Sequence, residues 1–234
     1  MDATPRDAVV LGLVQSITYV LPVSSDGHVA LMDLLFGLRA PTPLMAVALR
    51  FAALVSTAFV LRYRFARLLR EGVLAFRYPD RLWTTSGGRD AVVVVFASFP
   101  TALFGLFLRE PVSAWARSPL MVGIGLLGTS AWLLSTLWLK PGKSEFPGLL
   151  GSILIGVAQG LSILPGLSRS AGTIACALWL GVRPDRAFEL SFLASLPPLL
   201  AVVVLDARAL SREPIALTAV AALLALLATA VALG

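Results

Sequence analysis

"GVAQGLSILPGLSRSAGT", residues 156–173, starts as an apolar helix and is interrupted halfway. A helix that reaches Pro165 loses a backbone hydrogen bond, and the glycine and serines beyond it favour irregular backbone. Each side of the break is about 12 to 15 residues, too short to cross a bilayer that needs about 20. The same interruption occurs earlier in the chain, in "GLVQSITYVLPVSSDGH", residues 12–28. With one gap the two stretches align, Gly12 with Gly156, Gln15 with Gln159, Pro22 with Pro165 and Ser25 with Ser168. Broken apolar segments of this kind, about 8–38 and 149–181 here, read as re-entrant helix–loop–helix hairpins. Their tips must be buried in protein or line a wet cavity.

The rest of the chain is written for lipid. Of its 234 residues 58% are hydrophobic and 14% charged, and soluble domains carry about 25% charged residues. Five continuous stretches, 43–61, 91–108, 119–139, 187–205 and 214–233, have spanning length. The fold expected is an all-α polytopic membrane protein, one integral membrane domain over 1–234. The N-terminus mixes acids with Arg6 and has no basic leader, so the first segment is expected to remain in the mature protein. Cys176 is the lone cysteine, which excludes an intrachain disulfide and reads as a small buried hydrophobe. The net charge of +6 suits anionic lipid headgroups. Nucleic acid is not an expected partner, because no basic patch is interleaved with aromatics.

Seven arginines fall in 62–89, which places that segment in the cytoplasm. Counting crossings from there puts eleven basic residues inside, Lys140, Lys143, Arg183 and Arg186 among them, and six outside. That bias holds only if each broken segment returns to its own side. The first hairpin then enters from outside and the second from inside, giving an inverted-topology repeat, 8–139 and 149–234. Three spans follow the first hairpin and two the second, so a last helix is expected to be missing. Such repeats hold their site where the discontinuous helices meet.

Both tips are chemically rich. In "PGLSRSAGT" (165–173), Ser168 and Ser170 can cap the next half-helix. Its exposed N–H groups, positive end and Arg169 make an anion site. A buried arginine in lipid costs about 2.5–3.5 kcal/mol, so Arg169 has either a function or a salt bridge to Asp26 or Glu189. In "SSDGH" (24–28), Ser24, Ser25 or Asp26 can be the cap. His28 can serve as general acid or base, and Ser25 as nucleophile or phosphate ligand. Two such tips face to face would hold a phosphate group whose apolar tail stays in lipid.

These residues resemble those of the bacterial undecaprenyl-diphosphate phosphatases of the bacitracin-resistance type. That family is marked by (E/Q)xxxE running into FLPVSSTGH, and by PGxSRSxxT. Here the first reads "QSITYVLPVSSDGH" (15–28), and the second matches at every fixed position through Thr173. Weaker likenesses at 99–108, 118–123 and 188–197 extend the resemblance over almost the whole chain. It implies hydrolysis of undecaprenyl diphosphate to the monophosphate at the outer face of the bacterial plasma (inner) membrane. This recycles the cell-wall lipid carrier and uses a divalent cation, Mg or Ca. Carried over by position, Ser25, His28 and Arg169 match phosphate-handling residues of the family; with Asp26, which departs from the motif, they are the catalytic candidates. Gln15, Tyr19, Ser24, Arg50, Gly166, Ser168, Ser170 and Thr173 are the substrate-binding ones.

Two departures stand out. Tyr19 occupies the place of the second glutamate of (E/Q)xxxE, and Asp26 replaces the threonine of the serine motif. Asp26 is therefore the carboxylate expected to replace that glutamate and to bind the metal. Arg50, where an uncharged polar residue is more usual, adds a second cation if it faces the cavity. The same pocket without chemistry would be a polyprenyl-phosphate carrier or flippase, or a binding-only pseudoenzyme. The Ala- and Leu-rich 214–233 is expected to face lipid or to pack a homodimer.

Overall fold

The computed structural model describes residues 5–38, 43–115 and 118–207, and these are helical apart from turns, connections and one isolated bridge between Ser144 and Val182. The first hairpin is α1 (Pro5–Val20) and α2 (Ser25–Phe36), broken at 21–24. Helix α3 (Pro43–Val60) follows and bends by 82° into α4 (Arg62–Leu74). After the short α5 (Arg81–Thr84) come α6 (Ser86–Trp115) and α7 (Pro119–Thr136). The second hairpin is α8 (Gly148–Leu161) and α9 (Arg169–Trp179), broken at 162–168, and α10 (Pro184–Ala207) closes the described chain.

Three helices are long and apolar enough to cross a membrane, over Ser86–Leu108, Pro119–Thr136 and Pro184–Asp206, and the bent α3–α4 pair makes a fourth candidate. These match four of the five expected spans; the fifth, 214–233, lies outside the described residues. The chain is an all-α polytopic membrane protein. The segment 62–89, expected in the cytoplasm from its charges, is largely helical, as α4, α5 and the start of α6. Leu68 and Ala75 turn inward, and Leu68 packs with Ala91 and Val94 of α6 and with Leu193 and Leu196 of α10. Helix α6 begins inside the stretch "TTSGG", residues 84–88. A Cβ on Gly87 would meet the Arg67 carbonyl and one on Gly88 the Arg81 carbonyl, so only glycine lets α6 start against α4 and α5.

The main core joins α6, α8, α9 and α10 through Val93, Ala97, Ile155, Ala177, Leu190 and Ala194. Lipid gives no hydrophobic drive between helices, so close backbone approach at small residues holds them together. A Cβ on Gly156 would overlap the Ala97 carbonyl, and Thr101 Oγ1 reaches the Gly156 carbonyl at 3.1 Å. Buried charge ties one end of the bundle: Arg186 pairs with Asp90 and Glu189, and Glu189 also with Arg64 at 3.2 Å. Glu189 is thus held in an ion network.

Candidate active site

Each break is a helix restart, and each restart is capped as the serines suggested. Ser24 Oγ accepts from Gly27 N–H at 3.2 Å and Ser168 Oγ from Ala171 N–H at 3.2 Å. The caps correct the sequence alignment. Ser24, not Ser25, is the counterpart of Ser168, which makes Ser25 and Arg169 equivalent as the first residues of α2 and α9. With that pairing the caps keep the register of Gly12 with Gly156 and Gln15 with Gln159, and no gap is needed. The second break is longer because α8 ends earlier, at Leu161, and within it Gly166 takes φ 84°. Non-glycine residues rarely adopt that conformation.

The two tips touch. Ser170 Oγ donates to the Leu21 carbonyl at 3.2 Å, and Gly27 lies against Gly166. Helix α7 cradles the second tip on a glycine face: a Cβ on Gly125 would overlap the Pro165 carbonyl. Thr129 then clamps it, donating to the Gly166 carbonyl at 2.9 Å and accepting from Ser168 N–H at 2.8 Å.

Between the tips lies a cavity of about 190 Å³. Nine of the expected residues line it: Gln15, Tyr19, Ser24, Ser25, Asp26, Arg50, Ser168, Arg169 and Ser170. Among the described residues the side chains of Gln15, Ser25 and Asp26 have no hydrogen-bond partner, so their polar atoms are available to a ligand. Arg169 forms no ion pair with Asp26 or Glu189; its guanidinium lies 5.1 Å from the centre of the Tyr19 ring. That ring stands edge-on to Phe192, and its hydroxyl is 3.5 Å from Thr57 Oγ1. Arg50 does face the cavity, with Asp206 as its partner at 3.0 Å.

Three expected residues do not line the cavity. Gly166 is needed for the turn, since a side chain there would strike the Val122 carbonyl. Thr173 is buried and joins α9 to α10, its hydroxyl 2.6 Å from Ser191 Oγ. His28 sits one turn behind Ser25, with Nδ1 2.7 Å from the Ser24 carbonyl. A carbonyl only accepts, so Nδ1 carries the proton and the neutral ring keeps its lone pair on Nε2. Residues missed by sequence reasoning are Ser162 and the apolar Val23, Ala53, Leu167 and Leu199, which line the cavity, and Thr129, which shapes it. The hint of Thr129 in the sequence was a polar residue behind Gly123, Gly125 and Gly128 in an apolar span.

A second cavity of about 740 Å³ adjoins the first and shares Arg50, Ser162, Arg169 and Leu199 with it. The remaining wall is mostly apolar, with Ala102, Gly105, Leu106, Ile163, Val202 and Leu205. The two aligned glutamines differ in their surroundings. Gln159, the counterpart of Gln15, is buried and spends its amide on Thr101 Oγ1 and the Ala194 carbonyl.

The described residues contain no group of three His, Cys, Asp or Glu side chains able to hold a metal ion. In the smaller cavity the carboxylate is Asp26. This donor set does not build an all-protein cage, but it fits a hard cation bound by one carboxylate plus the oxygens of a phosphorylated ligand.

Residues 8–234 match the family described as bacitracin resistance protein BacA. Undecaprenyl-diphosphatases are similar along most of their length. The one from Desulfatibacillum aliphaticivorans is 33% identical over 90% of this chain and 81% of its own. That of Bacteroides thetaiotaomicron is 34% identical over 86% and 74%, and that of Carboxydothermus hydrogenoformans 34% over 85% and 72%. The chain belongs to the bacitracin resistance protein BacA family.

Proposed function

We propose that this protein hydrolyses undecaprenyl diphosphate to the monophosphate and inorganic phosphate. The observation that carries the reading is the joined pair of cavities, one small and polar, one large and apolar, with Arg50 and Arg169 on their shared border. A prenyl diphosphate has the same division, two phosphates on an apolar chain.

In this reading the terminal phosphate lies between the tips. Arg169, the N–H groups at the starts of α2 and α9, and the serines there hold its equatorial oxygens, the main demand of phosphoryl transfer. Ser25 Oγ attacks the terminal phosphorus. Its proton passes to His28 Nε2, three residues on and so on the same side of α2. The bond to the bridging oxygen breaks, and its electron pair leaves with the prenyl monophosphate. Water then takes the phosphoryl group from Ser25 as inorganic phosphate. Asp26 would hold a divalent cation, Mg or Ca, which would neutralise phosphate charge when bound. The inner-membrane location and the opposed entry of the two hairpins belong to the same proposal. Their support is the basic 62–89 segment and the meeting of the tips.

The test is phosphate release from undecaprenyl diphosphate by the purified protein with Mg or Ca. Arg169→Ala is expected to lower kcat by about 10³, and Ser25→Ala to abolish release. No release by the wild type with either cation, while labelled prenyl phosphate still binds or crosses proteoliposomes, would leave a carrier or a pseudoenzyme.

A further inference from the structure

Helix α4 presents three rows of side chains, and only one is used in the fold. Residues of a helix lie 100° apart, so Leu68, Glu71 and Ala75 share the row packed on the bundle. About a quarter-turn or more away, Ala66, Leu69, Val73 and Phe76 form an exposed apolar row, with Phe76 94% exposed. On the other side Tyr63, Arg67, Arg70 and Arg77 form an exposed basic row. Arg62, at the start of the helix, folds back over the rings of Phe59 and Tyr63.

The two exposed rows need different surroundings. Unlike Arg64 and Arg81, which pair with Glu189 and Glu71, Arg67, Arg70 and Arg77 make no ion pair among the described residues. The acids of the stretch are Glu71, already held, and Asp80. A free apolar row cannot face water, and a free basic row cannot enter hydrocarbon. The plane between headgroups and acyl chains serves both. The 82° bend at Leu61 supplies the orientation: α3 covers the apolar stretch expected to span at 43–61, and with α3 across the bilayer a helix turned nearly at right angles to it lies along the membrane surface.

We infer that α4 and the turn after it form a docking surface for anionic phospholipids. Leu69, Val73 and Phe76 enter the acyl boundary, and Arg67, Arg70 and Arg77 hold the negative headgroups. This assignment is independent of the chemistry in the cavity.

The experiment offers the purified protein equal amounts of phosphatidylglycerol and phosphatidylcholine in detergent and weighs the lipid it retains by mass spectrometry. The wild type is expected to enrich phosphatidylglycerol and to lose the enrichment at about 1 M salt, where screening extends only about 3 Å. R67Q/R70Q/R77Q should reduce it about fivefold per arginine removed. R67K/R70K/R77K should keep it, and so should K140Q/K143Q, which changes charge elsewhere. Hydrogen exchange on the wild type gives a readout that needs no variant: 62–77 should be protected in phosphatidylglycerol vesicles beyond its protection in phosphatidylcholine. Equal retention of the two lipids, enrichment unchanged in the glutamine variant, or equal protection in both vesicles would overturn the inference. Protection by an acidic polypeptide such as polyglutamate, but not by phosphatidylglycerol, would do the same and would point to a protein partner.

Discussion

Tyr19 carries a question that composition could not answer, because the residue at its place in the resembling family is a carboxylate. The geometry gives it another task. Its ring lies under the Arg169 guanidinium and is braced by Phe192, so the aromatic face holds a cation that has no acidic partner among the described residues. A desolvated cation–π contact is worth about 2 kcal/mol. Tyr19→Phe keeps the face and loses the hydroxyl, which sits beside Thr57, Arg169 and Ser195; kcat/KM should stay within about threefold of wild type. Tyr19→Leu removes the face and should lower kcat/KM about tenfold or more. Steady-state phosphate release separates these outcomes. A fall of about 10²–10⁴ in Tyr19→Phe would instead make the phenol the proton carrier.

At the scale of elements, the second tip depends on a helix distant in sequence. Thr129 of α7 satisfies both the Gly166 carbonyl and the Ser168 N–H, two backbone groups of a break buried among helices. Thr129→Val keeps the shape and leaves both unpaired, at about 1–3 kcal/mol each. Thermal unfolding should shift down, and phosphate release should fall, since Arg169 starts the helix that this clamp positions. Thr129→Ser should restore both. Gly166→Ala is expected to be worse, adding a strained φ to a clash with the Val122 carbonyl. The breaks, their serine caps and four spans were legible in the sequence, because proline, capping chemistry and apolar length act locally. The clamp was not, since it joins residues 37 and 39 positions apart. Nor was α4. Its seven-arginine neighbourhood reads as loop charge until the inward row of Leu68 and Ala75 is seen against α6 and α10. The register at the tips was misread by one residue for a related reason: the serines are adjacent in one tip, and only helix geometry tells which of them is the cap.

At the scale of the whole molecule, the joined cavities turn substrate length into a measurable quantity. The apolar one, about 740 Å³, lies between the break of the second hairpin, α6 and the later part of α10. A five-carbon isoprene unit fills about 130 Å³ at interior packing density, so about five or six units fit before the chain must continue into lipid. Each unit sheltered adds apolar burial at about 25 cal/mol per Å². Hydrolysis of prenyl diphosphates should therefore rise in kcat/KM with each added unit up to about six and level off beyond. Gly105 provides the matching substitution. It lines this cavity, and a Cβ there would meet nothing within 4 Å, so a larger side chain enters the groove without disturbing the helices. Gly105→Phe should leave the melting temperature unchanged or slightly raised, because a helical glycine is replaced. It should also raise KM about tenfold for long chains while sparing a ten-carbon substrate that ends short of the ring. If kcat/KM is instead flat with chain length, and Gly105→Phe affects all chains alike, the tail lies outside the groove. The arginines would then be recognising the diphosphate alone.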